Sequence, residues 1–546
     1  MIFSLIILLV VSRFGRARNT CSDFYAGDRT FTSPQNGLAL FGTFMTMTSF
    51  LTLSDEIAVN GYDGVLFAAS FAVSWLVTLL LVAEPLRNTG RYTLGDALSV
   101  RMKEGPVRVA GATVTLVVFF FYMTIQLIGA GSFLALLLGL DGPLGQGLVI
   151  ATIGGLTAVT VCYGGMRATT WTQIINAVLL FAAVVVLAGA LLVRYRFDVS
   201  TLLADAAKAA PEHDLLLTPG AKFGHGPHRL EFVSQLLTVV LGYAALPYLF
   251  IRYLTVPHAK DTRRSVSWAI CLSTPFYLLI ILIGFGAAAM IGLGHVPFAS
   301  GQRLSVAPLL AFELGGLPLL ALVASVIFTT IIAVTAGLAL SAAAGFTRDI
   351  YANVIRRGPL DERHEITVAR RTVVILCVLL TVCAILLMGQ NLTFMLSLDV
   401  TLAASSILPP LLLAWFWRGF NTAGTLWSLY GGAAVTVVLV AFSPAVSGDP
   451  LALFPTVDFA WFPWKYVGLI SIPMAFLLGY AGAKLSGDRD DAKYAEMEVR
   501  ALTGAGAVEA LPRDAGEPPG ASGITGAVTA IRRMTRAGGL PWNRRR

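Results

Sequence analysis

Apolar runs near or above the length of a membrane crossing recur along almost the whole chain, and this recurrence constrains the fold more than any motif. They begin near residues 1, 37, 65, 109, 146, 172, 231, 266, 318, 369, 392, 424 and 465. Roughly 20 apolar residues suffice to cross the hydrocarbon core. Backbone N–H and C=O groups in lipid must be satisfied internally, so the runs are read as helices. The 546 residues are 56% hydrophobic and only 13% charged, too little charge to cover a soluble protein of this size. The expected fold is an all-α polytopic membrane protein with about 13 transmembrane helices.

Loop charge gives an orientation. Residues 1–12 are read as a first transmembrane helix; the run lacks a preceding basic residue and makes a poor signal peptide. Arg13, Arg16 and Arg18 follow it. Three further loops expected in the cytoplasm are also basic. One carries Arg87, Arg91, Arg101, Lys103 and Arg108, the next Arg252, Lys260, Arg263 and Arg264, and the third Arg348, Arg356, Arg357, Arg363, Arg370 and Arg371. Outer loops near Asn60, Asp141 and Gln390 carry no Lys or Arg. This positive-inside pattern places the N-terminus outside and the C-terminus in the cytoplasm of a cell (inner) membrane.

The net charge of +8 then reflects topology and a basic tail, and gives no reason to expect a nucleic-acid partner. Residues 194–230 read as an extracellular loop with a short helix around 202–210. Residues 486–546 read as a disordered basic cytoplasmic tail whose end, with Trp542, suits anionic lipid. Five scattered cysteines make no disulfide framework, and His213, His225 and His228 read as parts of a solvated Gly/Pro-rich loop. No Walker A pattern and no catalytic constellation occur, so an enzyme is not expected.

Residues 37–64, GLALFGTFMTMTSFLTLSDEIAVNGYDG, are not an ordinary anchor. Thr48, Thr52 and Asp55 fall at helical spacing, with Ser49, Thr52 and Glu56 beside them. An acid near the middle of a spanning helix costs about 2.5–3.5 kcal/mol on insertion scales and usually lines a pathway. The segment is read as part of a solute path.

Several blocks carry a family resemblance: QNGLALFG at 36–43, AEPLRNTGRYTLGDALSVRMKEGPVR at 83–108, GGMRATTWTQII at 164–175, ALPYLFIRYLTV at 245–256, AVTAGLALSAAAGFTRDIYANV at 333–354 and LAASSILP at 402–409. Together they resemble the sodium:solute symporter family, in its acetate/monocarboxylate permease (cation/acetate symporter) branch, with this chain a divergent member. The resemblance implies a LeuT-type fold of two inverted five-helix repeats, 37–193 and 231–417, with one helix before and two after (424–485). It also implies a broken first helix in each repeat, near 46–49 and near 242–247.

On that pattern Thr46, Thr48, Ser49, Gln126, Gly242, Tyr243 and Tyr248 are the candidate substrate contacts. The implied cargo is a small organic anion such as acetate, propionate or pyruvate, and the coupling ion is Na+ or H+. No other metal and no cofactor is expected. Where many family members place Ser/Thr sodium ligands, this chain has Ala333 and Val334; Thr43 replaces an acid and Gln173 an Asp. Thr43, Thr330 and Thr335, with backbone carbonyls, remain as oxygen donors.

Asp55, Glu56 and Asp399 are acids where relatives are apolar. Gathered at an outer vestibule, they would suit proton coupling or attract a cationic amine. The function expected is secondary active symport of a monocarboxylate. A non-concentrating sensor or accessory subunit, or an amine transporter, is the alternative. The oligomeric state stays open.

Overall fold

The computed structural model describes residues 20–507 except 141, 211–215, 221–227, 292–304, 359–360, 390–391, 450–451, 455 and 489, and gives no side-chain placement at 48, 228 or 392–394. The run at 1–12, the tail beyond 507, His213 and His225 lie outside the described residues.

The described chain is helical, with one isolated bridge between Ser447 and Phe454. In order come α1 (Cys21–Ala26), α2 (Ser33–Phe44), α3 (Met47–Val77), α4 (Ala83–Thr89), α5 (Leu94–Ser99), α6 (Glu104–Leu137), α7 (Pro143–Arg194), α8 (Val199–Ala209) and α9 (His228–Ala244). Then follow α10 (Pro247–Tyr253), α11 (Ala259–Ile291), α12 (Val306–Gly345), α13 (Glu362–Leu386), α14 (Leu392–Leu402), α15 (Leu408–Phe416), α16 (Thr422–Ala441), α17 (Gly468–Ser486) and α18 (Asp491–Thr503).

Among the described residues, 10 continuous helices are long and apolar enough to cross a membrane. Continuous helices undercount crossings, because some bend sharply. At 1.5 Å per residue α7 would be about 78 Å long, more than twice a ~30 Å hydrocarbon core. It divides at Gly165, where φ is +54°. α3 divides at Gly61 (φ +51°), where Tyr62 N–H donates to the Leu216 carbonyl at 2.9 Å and any β-carbon would collide with that carbonyl. The expected thirteen is therefore not a number the continuous helices return.

α7 and α12 pack extensively on each other, α11 packs on α2 and α3, and α14 packs on α6 and α9. Small residues make the close approaches, as at Gly242 against Val400 and Gly154 against Thr381.

The arginines expected in loops do structural work at helix ends. Arg101 is 5% exposed and donates to the carbonyls of Ala414 (2.8 Å), Trp417 (3.0 Å), Arg418 (2.6 Å) and Phe420 (2.6 Å), closing the C-terminus of α15. Arg87, also buried, donates to Val256 and Pro257. Arg252 is no loop residue at all but lies buried in α10. Arg108 bridges Asp96 (2.7 Å) and Asp349 (2.8 Å). Residues 491–503 differ from the expected disorder: α18 docks on α4, with Asn88 donating to the Ala501 carbonyl at 2.8 Å and Arg500 to the Asn88 carbonyl at 3.0 Å.

Burial alone would raise the Asp96 carboxyl, but Arg108, Arg348 and the Tyr92 N–H outweigh it and hold the group below the usual carboxylate range. Its contribution is complete above an ordinary carboxyl pKa near 3.9 and is lost as pH falls through the depressed value. Asp96→Asn should therefore lower stability at pH 7 and flatten its decline below about pH 4, read from unfolding midpoints across pH. Arg101→Ala, which leaves several buried carbonyls without a donor, should cost about 3 kcal/mol or more. Arg101→Lys should restore part of the same thermal midpoint.

Candidate functional site

Two helix breaks build the site. α2 stops at Phe44, Met45 and Thr46 are non-helical (ψ 84° and 166°), and α3 starts at Met47. Thr46 is a good N-cap by type, and its Oγ1 accepts the Ser49 N–H at 3.0 Å. The second break follows Ala244: Leu246 is extended (ψ 119°), and Pro247 takes the first position of α10, where its missing N–H costs nothing.

Side chains from other helices converge on these breaks. Tyr122 of α6 reaches Thr46 Oγ1 at 3.4 Å and stacks on Tyr248, with ring centroids 5.0 Å apart. Tyr243 packs on Phe71 (4.6 Å) and Phe44 (5.1 Å), and its hydroxyl approaches Ser49. Gly242 lets α9 close on α14, since a β-carbon there would stand 2.4 Å from the Val400 carbonyl oxygen. That approach sets Asp399 beside the break. Asp399 is fully buried, within electrostatic reach of Tyr122, Tyr243 and Tyr248, and neither of its oxygens accepts a hydrogen bond among the described residues. Gln126 lies buried on α6, one turn from Tyr122. Thr48 sits in the first turn of α3.

The three unusual acids have separate neighbours. Asp55 accepts Ser305 O–H and Val306 N–H, each at 2.8 Å, and so caps α12. Glu56 accepts from Asn60 at 2.6 Å. Asp399 alone joins the breaks.

The oxygens expected near a coupling ion are engaged within the protein. Gln173 Nε2 donates to the Ala333 carbonyl at 2.9 Å, while Gln173 Oε1 accepts from Thr43 at 2.8 Å. Thr330 donates to Asn176 (2.7 Å) and Val326 (2.8 Å), and Thr335 pairs with Thr157 at 2.8 Å. No cluster of three His, Cys, Asp or Glu able to hold a metal occurs among the described residues.

A model of the sodium:solute symporter family matches residues 24–432. The chain belongs to the sodium:solute symporter family. It is 42% identical over 522 residues to a "Monocarboxylic acid transporter" of Corynebacterium glutamicum, covering 93% of this chain and 95% of that one. It is 39% identical over 508 residues to the "Uncharacterized symporter YwcA" of Bacillus subtilis, covering 91% and 96%. Among solved structures it resembles a Na+-coupled sialic acid symporter in a substrate-bound outward-open state (TM-score 0.67, 14% identity, 90% of this chain and 98% of that one). It also resembles the nucleobase-cation-symport-1 transporter Mhp1 in a closed conformation (TM-score 0.51, 13% identity, 89% and 99%).

The fold is thus LeuT-type, as the sequence blocks implied. This family member is a multi-pass membrane symporter of small solutes, not an enzyme.

Sequence reasoning missed Tyr122 and Arg252. Tyr122 stands four residues before Gln126 and Arg252 four after Tyr248, so helical spacing from the named candidates would have found both.

Gly242→Ala tests whether closeness of α9 and α14 matters. The added methyl cannot be accommodated without separating the helices, so transport should fall more than tenfold and the unfolding midpoint should drop. Both are read on one purified preparation.

Proposed function

We propose that this chain takes up a small monocarboxylate of the acetate, propionate or pyruvate class, and that the coupling cation is a proton carried at Asp399. The observation that carries this is a buried carboxyl with no hydrogen-bond donor among the described residues, set between two helix breaks, while the Ala333 carbonyl, Thr330 and Thr335 are already bonded. The Corynebacterium relative's printed name supports the substrate class.

The coupling follows from charge. An ionised carboxylate buried without a partner is costly, whereas the neutral acid is tolerated. A substrate carboxylate arriving beside ionised Asp399 meets a like charge; beside protonated Asp399 it meets a donor. Proton and anion therefore raise each other's affinity, which is the thermodynamic content of symport. Tyr122, Tyr248, Ser49 and Thr46, with Gln126 and Tyr243, supply hydroxyl and amide donors to the anion, and the N-terminus of α3 adds a favourable dipole. Gly242 sets the approach of Asp399. Asp55 and Glu56 act at the outer end, Asp55 as the latch on α12. The arginine-rich end faces the cytoplasm.

The test is radiolabelled acetate uptake into proteoliposomes under a proton or a sodium gradient imposed separately, with protein-free vesicles to subtract passive acetic acid. Proton-driven accumulation is expected. Asp399→Asn, fixed in a neutral form, should lose accumulation while keeping acetate–acetate exchange. Sodium-driven accumulation that survives Asp399→Asn would sink the assignment. An acid among aromatic rings also suits an ammonium group. Ethylamine uptake abolished by Asp399→Asn, without acetate uptake, would replace the anion by an amine.

A further inference from the structure

We infer that Arg252 forms a second binding point for the substrate carboxylate, one helical turn below the site at Asp399 and on the way out toward the arginine-rich end. This rests on the monocarboxylate reading above. Arg252 is 1% exposed. Its Nη1 donates to Thr170 Oγ1 at 2.6 Å and touches Met166 Sδ at 3.5 Å, while Nη2 is buried without a hydrogen-bond partner among the described residues. Two other buried arginines spend their donors on backbone, Arg87 on two carbonyls and Arg101 on four. A guanidinium out of water without a counter-charge is costly, and an arriving anion removes that cost.

The surroundings select an anion. A β-carbon built on Gly337 would lie 3.8 Å from Arg252 Nη2 and 3.3 Å from Gln173 Nε2, so both nitrogens border the notch that this glycine leaves. The bonds of Gln173 to Thr43 and to the Ala333 carbonyl fix its amide with the nitrogen on this side. The notch thus presents N–H donors from two side chains, which a carboxylate oxygen accepts and a cation avoids. A guanidinium fork matches the planar carboxylate group.

The position also fits a path. Tyr248 and Arg252 are four residues apart on α10 and share its face, about 6 Å along the axis. The axis of α10 therefore leads from the tyrosines at Asp399 to Arg252. Once its proton has departed, ionised Asp399 repels the anion in that direction.

Sided kinetics in proteoliposomes test this. Arg252→Gln should raise the KM for acetate at the arginine-rich face at least tenfold and change the KM at the opposite face less than threefold. Arg252→Lys should recover part of the loss. Gln173→Asp is the decisive variant, because a carboxylate there pairs with Nη2. It should raise the unfolding midpoint and yet reproduce the one-sided KM increase. A raised midpoint with unchanged KM values means that Arg252 is purely structural, and overturns the inference.

A binding readout separates this from failure of the transport reading. Acetate should raise the unfolding midpoint of the detergent-solubilised full chain, and Gln173→Asp should remove most of that protection. That difference supports the inner point even if no acetate accumulates, and its absence overturns it. Measurements with gluconate in place of chloride exclude a halide; protection that follows chloride alone overturns the carboxylate assignment.

Discussion

A backbone group freed within a bilayer cannot be left to lipid. The breaks at 45–46 and 245–246 therefore exist only because the protein satisfies what they release. Thr46 caps α3 with its own hydroxyl, and the Ala245 N–H turns back to the Gly242 carbonyl at 2.9 Å. Asn36 of α2 donates to the Arg252 carbonyl at 3.1 Å and accepts from Thr255 at 2.9 Å, tying α2 to the segment around α10. On the other side of the breaks, α3 packs on α9 through Phe71 and Tyr243. The polar groups that make the breaks affordable are the same ones proposed to face a solute, so site and fold are not separable here.

The rest of the electrostatics follows from keeping charge off lipid. Most buried arginines are consumed by carbonyls or acids at helix ends, where they close termini that would otherwise expose backbone. Among the described residues Asp399 and Arg252 depart from this pattern, and both border α9 or α10 near a break. On the proposed reading, a carboxyl and a guanidinium held apart, neither with a counter-charge among the described residues, suit a cargo that is itself an anion. That cargo would need a proton at the first and none at the second.

Much of this was legible in the chain. The apolar runs gave the fold class, and the Thr and Pro signals at Thr46 and Pro247 lie where α3 and α10 begin. Asp399 stood out by chemistry alone. Its neighbour Tyr122 did not, because Tyr122 lies 277 positions away and only packing of α14 on α6 joins them. The grouping of Asp55 and Glu56 with Asp399 came from shared residue type, whereas the structure sorts them by capping geometry. Arginine roles were hidden for the same reason. A loop arginine and a buried one look alike in sequence until the carbonyls of residues 414–420 arrive beside residue 101.

Gln173 and Asp399 are best understood together. The sequence resemblance puts an acid at position 173 in many relatives, where its charge would stand near Arg252 and offset it. With Gln173 the pocket keeps an uncompensated guanidinium, and its amide nitrogen occupies the Ala333 carbonyl. A sodium ion placed there would meet a positive charge and a carbonyl already bonded. The carboxyl at 399 stands instead among tyrosines, without a hydrogen-bond donor among the described residues, and on the reading proposed above it carries one proton. On that reading, moving one carboxylate between levels of the same bundle changes which ion is favoured and frees an arginine for the anion, without altering the helices that carry either.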